Sequence, residues 1–221
     1  MSKNKLERFA ENLTFDNLFQ YSYERIQKEG FPFKGRWHEF FNNDNPLVLE
    51  LGCGKGEYTV GLARAHRDMN FIGVDIKGAR MWVGLKQARE EKLDNVAFIR
   101  TRIELIDNFF DKDEVSEIWV TFPDPQPQKS RERKRLTGPN FLARYRNFLK
   151  ENGVVNLKTD SELLYEFTLK TLHDANYPVY CQYDNLYDND DDMEVKSIRT
   201  FYEQMWLDIG LTIKYIRFGI R

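Results

Sequence analysis

The 221-residue chain has only two cysteines, Cys53 and Cys181, too far apart for a CxxC pair, which argues against a disulfide framework or a zinc site and fits a reduced protein. Its three histidines, His38, His66 and His173, are scattered, so no metal centre is expected. No apolar run approaches the roughly 18 residues that a membrane span needs, and no membrane association is expected. Residues 1–8 lack the apolar core of a signal peptide, so none is expected there, and the sparse, unpaired cysteines make a cytoplasmic location the expectation. Internal repeats and low-complexity linkers are missing as well. What remains is a chain with 41% hydrophobic residues, enough for one good core and too few for two.

An excess of charge is also lacking: 33 basic residues stand against 35 acidic ones, for a net charge of -2 and a pI near 6.0. Taken alone, that balance speaks against a polyanionic partner. The charge is segregated, however. Asp188, Asp190, Asp191, Asp192 and Glu194 crowd one stretch, and Lys129, Arg131, Arg133, Lys134 and Arg135 another, opposed only by Glu132. A solvated face explains such a run equally well in isolation; its place beside the site argued below favours phosphate contacts.

Short apolar runs alternate with amphipathic ones. Strands are expected at 47–51, 71–75, 96–100, 117–122 and 153–158, with helices at 57–65, 78–91, 140–150 and 161–175 and a short helical or irregular piece through 106–109. Parallel strands joined by crossover helices give an α/β, doubly wound, mostly parallel sheet. Residues 177–183 and 212–218 suit an antiparallel pair at its edge. Residues 1–46, polar and aromatic, are expected to form an N-terminal arm packing partly on a main domain at 47–221.

The sharpest signal lies where the first of these strands meets its helix: Glu50-Leu-Gly52-Cys-Gly54-Lys-Gly56. Alternating glycines allow a tight turn and a close ligand approach to the main chain. A dinucleotide fingerprint would need glycine at position 57; Glu57 stands there and would repel a pyrophosphate at the helix N-terminus. A nicotinamide oxidoreductase is thereby disfavoured. S-adenosylmethionine, without phosphate and with a cationic end able to sit near Glu50, fits. Asp75 ends the second strand, where a carboxylate would accept from both ribose hydroxyls. Phe122-Pro123-Asp124-Pro125 ends the fourth, and two prolines hold the Asp124 carboxylate on a stiff turn beside the switch point of the sheet.

Together, Leu49-Glu-Leu-Gly-Cys-Gly-Lys-Gly56, Val74-Asp-Ile-Lys77, Trp119-Val-Thr-Phe-Pro-Asp-Pro125, the basic stretch into Leu136-Thr137, Leu157-Lys-Thr-Asp160 and Thr200-Phe-Tyr-Glu203 resemble the bacterial tRNA (guanine-N7-)-methyltransferase family. The resemblance runs from about Leu47 to Glu203 and implies a Rossmann-like methyltransferase fold, S-adenosyl-L-methionine as cofactor and tRNA as partner. It implies methyl transfer to guanine N7, at a variable-loop guanine. By it, Glu50, Asp75 and Asp124 contact the cofactor, with the glycines Gly52, Gly54 and Gly56 cradling it, and Asp124 is also the active-site acid. Asp160, Thr200 and Glu203 fall where the family binds RNA, joined by Lys129, Arg131 and Arg133 of the basic run. The chain departs from the family at three places. Gln126 and Gln128 replace the usual tryptophan and lysine after the FPDP aspartate, leaving Lys129 as the candidate for the lysine's role. Arg102 stands where an acidic or amide side chain commonly meets the adenine, so contact there could come from its backbone.

Structural duties compete for some of these residues. Asp160 or Ser161 caps the helix that follows, and Thr200 and Glu203 are spaced as a capping box ahead of Met205 and Trp206. Two other functions remain open: a methyltransferase acting on a protein or small molecule, and a noncatalytic RNA-binding module.

Overall fold

The computed structural model describes residues 5–188 and 193–221, so Asp190, Asp191 and Asp192 of the acidic stretch lie outside the described residues. In chain order the elements are α1 (Lys5–Asn12), β1 (Leu18–Gln20), α2 (Tyr23–Glu29), α3 (Trp37–Phe41), β2 (Leu47–Leu51), α4 (Glu57–Ala65), β3 (Asn70–Asp75), α5 (Gly78–Glu90), β4 (Val96–Arg100) and β5 (Val115–Thr121). There follow α6 (Pro139–Tyr145), β6 (Leu149–Thr159), α7 (Glu162–Asp174), β7 (Val179–Tyr183), α8 (Met193–Ser197), α9 (Phe201–Asp208) and β8 (Lys214–Phe218). Eight strands form one sheet in the order β1-β4-β3-β2-β5-β6-β8-β7. The first six in that order are parallel; β8 runs antiparallel to both β6 and β7, giving the expected antiparallel edge.

The central strands β2, β3 and β4 are buried on both faces, as near-continuous apolar runs such as Leu47-Val-Leu and Phe71-Ile require. Two apolar layers cover the sheet. One centres on Leu49, Ile72, Ile118 and Leu157, the other on Val48, Tyr58, Phe98 and Trp119. The segment before Leu47 packs on the core through aromatic edge-to-face contacts: Phe19 meets Phe31, Trp37 and Phe40, and the Trp37 indole donates to the Phe109 carbonyl at 3.0 Å. It also adds β1, whose three residues pair with Phe98, Ile99 and Arg100.

Two boundaries differ most from expectation. The helix from Pro139 stops at Tyr145, because buried Phe148 and Leu149 pull the chain back into the sheet, where Leu149 pairs with Val115. The strand then runs to Thr159, with a register shift between Val115 and Glu117 absorbing the misfit. The sheet order reverses between β2 and β5, and ligands of open α/β sheets bind in the crevice at such a point.

Candidate active site

The glycine turn after β2 is held by the end of β3. Gly52 and Cys53 donate to the Val74 carbonyl, and Gly54 N–H donates to Asp75 Oδ2 at 2.9 Å. Asp75 Oδ1 accepts from Lys77 N–H at 2.8 Å, so backbone donors fix both of its oxygens while its edge still faces the cavity. Gly56 (φ 76°) is left-handed, and a β-carbon there would lie 2.7 Å from the Phe98 ring. Gly56 therefore seats the turn on the core and does not line the cavity.

Glu50, near the end of β2, is 3% exposed. Its carboxylate accepts from the Thr59 hydroxyl, from Thr59 N–H at 2.8 Å and from the Thr121 hydroxyl at 2.6 Å. The Thr59 N–H belongs to the first turn of α4, whose dipole favours an anion. Burial nevertheless outweighs these donors, and with the nearby Asp75 charge it raises the Glu50 carboxyl to about 7. Among the described residues no cationic side chain pairs with Glu50, so a bound cation would offset a strain that the protein leaves standing. Burial also drives the Cys53 thiol well above its ordinary range, which leaves it an unreactive small residue of the loop.

A cavity of about 630 Å³ opens along the C-terminal edge of the sheet, with a smaller one of about 90 Å³ beside it. Gly52, Asp75, Arg102, Asp124 and Asp160 line the larger, so the ends of β2 to β6 converge there. Glu50, Gly52, Gly54, Asp75 and Thr200 line the smaller. Asp124 is exposed on its turn and its Oδ1 accepts from Gln126 N–H at 3.0 Å. Phe122 and Gln126, both with φ 47°, flank it; left-handed conformations at two non-glycine residues are a strain found at functional turns.

Ser161, not Asp160, caps α7, accepting from Leu164 N–H at 3.3 Å, which frees Asp160 to face the cavity. Thr200 caps α9, accepting from Glu203 N–H at 3.2 Å. The reciprocal half of the capping box is absent, because the Glu203 carboxylate is fully buried, 2.7 Å from Lys158 Nζ, and accepts from Tyr187 Oη at 2.7 Å. Burial lowers the Lys158 ammonium pKa and the Glu203 charge opposes that shift. Lys158 also donates to the Val195 carbonyl, so the pair ties α8 and α9 to β6. Lys129, Arg131 and Arg133 sit on an exposed 3-10 turn and line neither cavity, and Arg102 is exposed.

Sequence reasoning missed several neighbours. Lys134 is the member of the basic run that lines the larger cavity. Tyr202 lines both cavities and accepts from Arg80. Glu57 accepts from Phe201 N–H at 3.2 Å while Lys55 Nζ lies 4.4 Å from the Phe201 ring centroid, which docks α9 over the glycine turn. Arg135, grouped with the basic run, is buried. The donor set suits S-adenosylmethionine: Asp75 for ribose hydroxyls, Glu50 for positive charge, and glycine backbone for close approach.

Residues 44–216 match a family model described as "Putative methyltransferase". The chain is 55% identical to the tRNA (guanine-N(7)-)-methyltransferase of Christiangramia forsetii, covering 100% of this chain and 99% of that one. It is 52% identical to that of Bacteroides fragilis, covering 99% and 86%. Among solved structures it is similar in fold to the 16S rRNA methyltransferase KamB, with a TM-score of 0.62 at 14% identity over 83% of this chain and 92% of that one. The 16S rRNA (adenine(1408)-N(1))-methyltransferase of Catenulisporales acidiphilia, solved with its cosubstrate SAM, gives a TM-score of 0.55 at 15% identity, covering 83% and 89%.

Proposed function

The chain belongs to the tRNA (guanine-N(7)-)-methyltransferase family, and from that premise we propose that it transfers a methyl group from S-adenosyl-L-methionine to N7 of a guanine in tRNA. The target is a variable-loop guanine, following the family resemblance, and the reaction is cytoplasmic. The names of the relatives count against a protein or small-molecule substrate. The observation that carries the reading is the cavity in which Asp75, Asp124 and Asp160 meet beside the glycine turn.

When bound, S-adenosylmethionine supplies an electrophilic methyl group on a cationic sulfur. Guanine N7 has an in-plane lone pair and no proton, so no residue here has to act as a strong base. The chain's work is alignment and charge balance. Glu50 and Asp75 would hold the donor, with Gly52 and Gly54 leaving room against the main chain. Asp124, which lines the cavity, would balance the positive charge that moves onto the purine, or would accept from the guanine N1–H and amino edge. Asp160, freed from capping, is the second acceptor. A guanine within folded tRNA must first be extruded to reach them. Thr200 and Glu203 act on the substrate side by holding the α9 segment beside the cavity, and Lys129, Arg131 and Arg133 contact phosphates, which position the RNA without choosing the base.

Incubation with unmodified tRNA and methyl-labelled S-adenosylmethionine, followed by digestion to nucleosides, should yield labelled 7-methylguanosine. A different labelled nucleoside, or label on protein alone, would replace this reading.

A further inference from the structure

The last cation of the run at 129–135 is built into the protein. Arg135 is 5% exposed, and its guanidinium lies 4.3 Å from the Phe167 ring centroid. Its Nε donates to the Pro125 carbonyl at 3.1 Å and an Nη donates to the Gln126 carbonyl at 3.2 Å, with the Glu132 carboxylate 3.4 Å from the other Nη. The Pro125 carbonyl and the Gln126 N–H belong to one peptide group, and that N–H donates to Asp124 Oδ1 at 3.0 Å. Guanidinium, peptide and carboxylate thus form one hydrogen-bonded chain.

We propose that Arg135 is a positioning residue for methyl transfer: it fixes the peptide that aims the Asp124 carboxylate and does not bind tRNA phosphate. The proposal rests on the role given to Asp124 above. Donation to the peptide oxygen polarises the same peptide's N–H, which strengthens its bond to the carboxylate. The planar fork spans two successive carbonyls, which a point-charge ammonium cannot do. It also clamps Gln126 in its left-handed conformation, which relaxes when nothing holds it. With the Phe167 ring against the guanidinium and the residue only 5% exposed, a phosphate has little approach to it.

Full-length Arg135→Lys and Arg135→Gln would be assayed with tRNA and S-adenosylmethionine beside Asp124→Asn and an Arg131→Gln/Arg133→Gln double variant. Both Arg135 variants should lose about 10- to 100-fold in kcat, the scale of a misplaced catalytic group, with KM for tRNA and the salt dependence of tRNA binding unchanged. A phosphate contact behaves differently: lysine would keep it, and glutamine would weaken tRNA binding and flatten the salt slope, as in the double variant. That pattern, or parental kcat in Arg135→Lys, overturns the proposal. If thermal melts show that Arg135→Gln does not fold, Phe167→Leu takes its place; it loosens the stack without altering charge, and the expected result is a smaller fall in kcat at constant KM. Parental kcat in Phe167→Leu would then be equally fatal. Full turnover by Asp124→Asn removes the role of Asp124 itself, whereas its loss alongside active Arg135 variants removes only the present inference.

Discussion

Glu50 and Asp124 belong to the ends of neighbouring strands, β2 and β5, yet their surroundings are opposite. Glu50 is buried under three donors and carries a carboxyl raised to about 7; Asp124 is exposed on a strained turn with one backbone donor. The first suits a cationic ligand that arrives whole and is enclosed. The second suits a large substrate that must come and go, with the residue held in place by the backbone and not by burial. Glu50 is preorganised by burial together with three donors, Asp124 by a single main-chain hydrogen bond at an exposed turn.

The sharpest way to break that contrast is Asp124→Ala. Turnover should fall by about 10³-fold or more, the scale of removing a group aimed at developing charge, while the melting temperature stays near that of the parent. An exposed side chain with one local contact contributes little to folding. Near-parental methylation would take Asp124 out of the mechanism.

Gly56→Ala attacks the packed half. The added methyl would sit 2.7 Å from the Phe98 ring in a left-handed backbone, at a cost of about 3 kcal/mol or more in stability. Chemical denaturation should report it as a lower midpoint. A parental midpoint would mean that the turn is not seated as described.

Glu50→Gln separates binding from stability. The Glu50 carboxyl is raised from 4.5 to about 7 on folding, so the folded protein holds that proton more tightly than the unfolded chain. The stability this gives is fully present below about 4.5 and is lost as pH rises through about 7. The glutamine variant should therefore melt higher than the parent at pH 8, by up to roughly 3 kcal/mol, and lose that advantage toward pH 4.5. Its affinity for S-adenosylmethionine should fall by about 10- to 100-fold, the loss of a charge-assisted contact. In the parent, affinity should rise with pH up to about 7 and level off above it, because a cation prefers the carboxylate. A pH-independent Kd in calorimetry would show that Glu50 does not meet the positive charge.

The same contrast governs what could be read from sequence. Strands β2 to β4 and the glycine turn were legible because period and composition are local properties of Leu47–Leu51 or Asn70–Asp75. β1 was not: Leu18–Gln20 is too short to carry a pattern and exists through pairing with β4. Glu50, Asp75, Asp124 and Asp160 could be named as candidates. The Thr121 hydroxyl that holds Glu50 lies 71 residues along the chain and could not be assigned from spacing. Glu203 read as an RNA-binding or capping-box residue, and its burial depends on Lys158 arriving from β6. Within residues 129–135 every cation looks alike; the structure separates the buried Arg135 and the cavity-lining Lys134 from the three solvated ones.

That separation makes the mildest prediction specific. Lys129, Arg131 and Arg133 stand in water with no cavity to line, so neutralising all three should leave kcat and fold stability near parental values. If they contact phosphates, each removes up to about 0.7 to 0.9 from the steepness of log K against log salt, and the triple variant should lose about 2 to 3 in slope. Its tRNA affinity should be weakest relative to the parent at low salt and converge with it as salt screens the remaining charge. An unchanged slope would return this turn to an ordinary solvated face and leave Lys134 as the basic group through which the stretch reaches the cavity.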